Sequence, residues 1–170
     1  MVIVLVILAL IVILLIYLAF QSYYGSQKHQ QKMLAVEEAY KRMVKRHQLK
    51  ILEVSRLPSR LIAIDRVNGK LLMVIYKDGI TWERCVDLGA IKSCELVKTT
   101  DHESGYIQHV HMELLLHNSS EVIRFPFFDQ EVDDVRELRQ RTNKSHYWQR
   151  KIRYYLDVPE SGPRRFTYTG

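Results

Sequence analysis

The chain has 170 residues, a formal charge of +6 and a pI near 9.3. That length leaves room for one domain of ordinary size, about 100–150 residues, able to bury a core without disulfides or metal. Two cysteines only, Cys85 and Cys94, match no zinc or redox spacing and exclude a disulfide scaffold. The basic residues form no compact arginine–aromatic motif, which argues against nucleic acid as a partner.

Residues 1–20 carry no charge, no Gly and no Pro. About 20 apolar residues at a rise of about 1.5 Å match a hydrocarbon core of about 30 Å. This predicts a single-pass transmembrane helix over 1–24, with Tyr17, Tyr23 and Tyr24 in an interfacial belt. A cleaved signal peptide would need a basic start, a shorter apolar run and a small-x-small site. The lysines and arginines from Lys28 to Lys50 all follow the run, so the positive-inside rule puts the rest of the chain in the cytoplasm. The expected first partner is therefore a lipid bilayer, met through residues 1–20.

Residues 25–49 read as a juxtamembrane stalk helix. Glu37 precedes Lys41 and Glu38 precedes Arg42 at the favourable i, i+4 order. Met33, Val36, Tyr40 and Met43 form an apolar stripe. It packs on the chain's own domain in one reading and makes a homo-oligomer in the other.

From residue 50 the apolar period shortens and β-branched residues accumulate. Strands are expected at 51–55, 61–67, 70–76, 80–86, 90–99, 106–117 and 121–127. Asn68-Gly69 and Asp78-Gly79 are hairpin turns. Pro126 places the seventh strand at an edge. A helix is expected over 129–156, capped by Asp129 and burying Val135, Leu138, Trp148, Ile152 and Tyr155. Residues 157–170, with Pro159, Gly162 and Pro163, read as a mobile tail.

Seven sequential antiparallel strands and a last amphipathic helix resemble the pleckstrin-homology (PH) superfold over residues 50–156. The chain is also similar to small single-pass bacterial membrane proteins with such a domain. The shared texture is Asn68-Gly69-Lys70-Leu71-Leu72, then Val86-Asp87-Leu88 into Ile91-Lys92-Ser93, then Trp148 and Ile152. The resemblance implies an α+β fold, a seven-stranded antiparallel PH-like barrel closed at one end by the helix. It also implies a protein that is not an enzyme and has no cofactor.

The expected function is a membrane-tethered binding or scaffolding module at the cytoplasmic face. It would hold an anionic lipid headgroup or a membrane protein. The candidate contacts are Arg56, Arg60, Arg66 and Lys70 near the first hairpin, and Arg150, Lys151 and Arg153 on the last helix. One alternative is a metal-dependent enzyme or sensor using His109 and His111, which share a strand face with Glu113; zinc needs three or four ligands. Another is a structural subunit of a membrane complex. Phosphate loops, nucleophile elbows and paired catalytic carboxylates do not occur in the sequence.

Overall fold

The computed structural model describes the backbone of residues 2–117 and 119–156, and the side chains of these apart from 2–9 and 18–29. The tail over 157–170 lies outside the described residues. A long helix α1 (Val2–Arg46) leads into β1 (Glu53–Leu57), β2 (Arg60–Asp65), β3 (Lys70–Lys77) and β4 (Ile80–Asp87). A 3-10 turn at Leu88–Ala90 joins these to β5 (Ile91–Thr100), β6 (Ile107–Leu116) and β7 (Val122–Asp129). Helix α2 (Leu138–Leu156) follows a second 3-10 turn, Val135–Glu137.

Each hairpin turn has its local chemistry. Gly69 sits at φ 62° and Gly79 at 81°, where a Cβ is disfavoured, and Asp78 at 52° is of a type that tolerates this region. Asp65 fixes the first of these turns, accepting hydrogen bonds from the amides of Val67, Asn68 and Lys50 and from the Asn68 side chain. Burial would raise its pKa, but these bonds hold the carboxyl below the usual value.

The strands form two antiparallel sheets, ordered β1-β2-β3-β4 and β5-β6-β7. The expected barrel is corrected by this arrangement. All seven strands are present, but among the described residues neither sheet closes and no ladder joins one to the other. Side chains span the gap instead: Arg60 on β2 donates to the Pro126 carbonyl on β7, and Arg84 on β4 pairs with Glu121 beside β7. Strand β7 is an edge strand, where Pro126 costs no ladder bond.

The main core fills the space between the sheets. Ile62, Ile64, Leu71 and Met73 face Val110, Met112, Leu114, Phe125, Phe127 and Phe128. A register shift between Val110 and His111 opposite β7 accompanies the burial of three phenylalanines within four residues. Trp148, Ile152 and Tyr155 of α2 cover one end of this core. The Trp148 indole N–H is buried and has no hydrogen-bond partner among the described residues.

A second core lies on the other side of the four-stranded sheet. Val36, Ala39 and Met43 of α1 pack on Leu61, Ala63, Leu72 and Val74. The apolar stripe of the expected stalk is thus turned to its own sheet, with Met33 left exposed. Every residue of β2 is buried, because both faces of that strand are covered.

The expectation of a single-pass membrane anchor, and of the cytoplasmic placement derived from it, is overturned. Among the described residues no helix is long and apolar enough to cross a membrane. Residues 1–9 and 18–24 of the expected anchor have side chains outside the described set.

The last helix also begins later than expected. Asp129, Asp133 and Asp134 accept hydrogen bonds from the amides of Glu131, Asp129 and Arg136 respectively. These local bonds compete with helical ones and hold 129–137 in turns. Val135 is therefore exposed, and the buried stripe of α2 runs Arg141, Ser145, Trp148, Ile152, Tyr155.

Candidate functional site

Helix α2 presents two faces side by side. Trp148, Ile152 and Tyr155 go inward at 4- and 3-residue spacing. Tyr147, Arg150, Lys151 and Tyr154 recur at i, i+3, i+4 and i+7, which puts them on one neighbouring face. That face meets the loop after β2, where Arg66 projects. The result is an open cleft of about 520 Å³ lined by Arg66, Tyr147, Arg150, Lys151, Tyr154 and Tyr155.

One carboxylate meets three of its lining residues. Glu53, the first residue of β1, contacts the Lys151 ammonium and the Tyr147 hydroxyl. Arg66 lies 3.8 Å from the same carboxylate. Lys151 also donates to the Tyr147 hydroxyl at 2.7 Å and sits 4.8 Å from the centre of that ring. Burial pulls the Lys151 ammonium below its usual pKa. Among the described residues the Arg150 guanidinium has no hydrogen-bond or ion-pair partner. Two cations thus meet one carboxylate and a third, Arg150, lines the same cleft beside the tyrosine rings.

Of the seven cationic residues singled out from sequence, Arg66, Arg150 and Lys151 converge here. The other four are engaged elsewhere. Arg56 pairs with Glu37 of α1 at 3.1 Å and lies over the Tyr40 ring; the hydrogen bond to Glu37 raises its pKa. Lys70 pairs with Asp87 at 2.8 Å across the β3–β4 ladder. Arg153 is held by Glu95 at 2.8 Å and by the Cys94 carbonyl at 3.1 Å.

Arg60 is buried, at 3% exposure, and burial lowers its pKa. It donates to both oxygens of Asp133. Asp133 also meets Arg141 at 3.1 Å, and Arg141 is held in turn by Glu137. This is a tie between β2, the turn after β7 and α2, remote from solvent.

His109 lies 3.5 Å from Asp129 and His111 lies 3.2 Å from Glu113. Glu113 is held by Arg124 at 2.8 Å, and that bond, with the one from His111, keeps its pKa low despite some desolvation. No group of three or more His, Cys, Asp or Glu able to hold a metal occurs among the described residues. The histidines pair with carboxylates singly, each at its own place on the sheet.

Glu53 and Tyr154 were not singled out from sequence, and Tyr155 was expected only in the buried stripe of the last helix. The 147-150-151-154 spacing could have found the helix half of the cleft. Nothing local marks Glu53, which reaches the site from 98 residues away. No family model matches this chain, and no curated protein or solved structure matches it either.

Proposed function

We propose that the chain is a non-catalytic binding module whose Arg66–Arg150–Lys151 cleft receives an anionic group of a partner. The observation that carries this is the Arg150 guanidinium, unengaged among the described residues, beside Lys151 and Arg66 in a cleft of small-molecule size. Arginine at such a place offers a planar fork of donors to an oxyanion. Tyr147, Tyr154 and Tyr155 add flat apolar walls. The described lining offers donors and rings suited to holding a ligand.

Titration of the full chain with inorganic pyrophosphate, followed by calorimetry, tests the reading. Binding is expected, weakened about tenfold or more in Arg150→Gln, the loss of one charge-assisted hydrogen bond. Absence of binding, or equal binding by the variant, overturns it. Chemical shift changes confined to the exposed faces of Arg56 and Lys70 would also overturn it.

A further inference from the structure

We infer that Glu53 is an internal occupant of the anion cleft, and that the group able to displace it is a phosphate monoester. This rests on the reading of the cleft given above. Glu53 already engages groups that an incoming anion would use: it accepts from the Lys151 ammonium and the Tyr147 hydroxyl and lies 3.8 Å from the Arg66 guanidinium. Strand β1 holds it in place, so its carboxylate competes at the effective concentration of a tethered group, millimolar or higher.

A free carboxylate offers the same charge and the same two oxygens, and has no means of winning that competition. A phosphate monoester carries a charge of about −1.5 to −2 near neutral pH and three strong acceptor oxygens. It can engage Arg150, which Glu53 leaves unengaged, and then take Lys151 and Tyr147 as well. Arginine binds phosphate through two parallel hydrogen bonds, and lysine as a point charge. The Glu53 side chain is 26% exposed, so it has solvent to turn into when released. The tyrosine walls beside the cations favour a monoester whose alcohol part is flat and aromatic.

Calorimetric titration of the full chain with phenyl phosphate and with benzoate tests this, in the unsubstituted protein and in Glu53→Gln. The unsubstituted protein is expected to bind phenyl phosphate at least about tenfold tighter than benzoate. Glu53→Gln is expected to tighten phenyl phosphate about tenfold and to bring benzoate into measurable range. Glu53→Asp keeps the charge but shortens the reach to Lys151, and is expected to tighten phenyl phosphate in the same direction; it replaces the glutamine variant if thermal unfolding shows that one misfolded. Equal affinity for the two probes, or weaker phenyl phosphate binding after either substitution, overturns the displacement by phosphate. Failure of every form to bind either probe overturns the reading of the cleft itself, and this inference with it.

Discussion

Asp133 grips Arg60 with both of its carboxylate oxygens, at 3.0 and 3.1 Å, although 73 positions of chain separate the two. Its Oδ1 also lies 3.1 Å from Arg141, so one buried carboxylate neutralises parts of two buried guanidinium groups. Removing one partner of such a cluster leaves charge stranded in the interior. Asp133→Asn is expected to destabilise the fold by about 3–5 kcal/mol. Urea unfolding followed by tryptophan fluorescence measures this. A change within about 0.5 kcal/mol would show that water reaches the arginines in the native state.

Asp65 gives the fold an acid limit. Its folded pKa is depressed, so the unfolded chain takes up a proton more readily as pH falls. The stability it contributes is complete above the unfolded value of about 3.9 and is lost as pH drops through the lower folded value. Asp65→Asn is expected to lose about 1–3 kcal/mol at neutral pH, since the hydrogen bonds it accepts lose their charge. Its unfolding midpoint should also fall less steeply below pH 4. An unchanged acid slope in the variant would assign that slope to other carboxylates.

Trp148 separates packing from hydrogen bonding. Its ring is fully buried while its N–H lacks a partner among the described residues. Trp148→Phe keeps an aromatic ring and removes the orphan donor, with an expected cost under about 1.5 kcal/mol. Trp148→Ala opens a cavity and is expected to cost about 3–5 kcal/mol. Equal costs in chemical denaturation would mean that the indole N–H has a partner in solution.

Cys94 should behave as an inert thiol. Burial pushes its pKa to about 12, leaving about one thiolate in ten thousand at pH 8. Cys85 is half-buried and raised too, also chiefly by burial. In Cys85→Ser, reaction of the remaining thiol with an aromatic disulfide reagent is expected only as fast as the protein unfolds. Rapid labelling in native buffer would show that the core opens locally around β5.

The second core can be tested at its centre. Ala39 is fully buried between α1 and the four-stranded sheet. Ala39→Glu places an unpaired carboxylate there and is expected to cost about 3 kcal/mol or more. A change below about 0.5 kcal/mol, read from thermal unfolding, would mean that α1 is detached from the sheet in solution.

Much of the local structure was legible because its signals are local. Asn68-Gly69 and Asp78-Gly79 set two hairpins, and the alternation Val110, Met112, Leu114 set the buried face of β6. Pro126 marked an edge strand. The start of α2 was misread because three aspartates bind backbone amides nearby, which a helical pattern does not reveal. Sheet closure was misread because strand order says nothing of whether a first strand returns to pair with a last one.

The site was legible by halves. Arg66, Arg150 and Lys151 were visible as cations, but charge alone gave Arg60 and Lys70 equal weight. Arg60 proved to be an interior strut, and Lys70 a rung partner of Asp87. What distinguished them was long-range partnering, with Asp133 and Glu53 supplied by distant parts of the chain. The apolar opening segment was read by hydropathy alone, which treats it as an independent element. In the structure it continues without a break into the half of α1 that roofs the sheet.

That roof sets where the chain can be cut. A fragment beginning after Arg46 would strip Leu61, Ala63, Leu72 and Val74 of their cover and present a wet, greasy slab to its neighbours. The smallest piece able to stand alone therefore has its first residue inside α1, upstream of Val36.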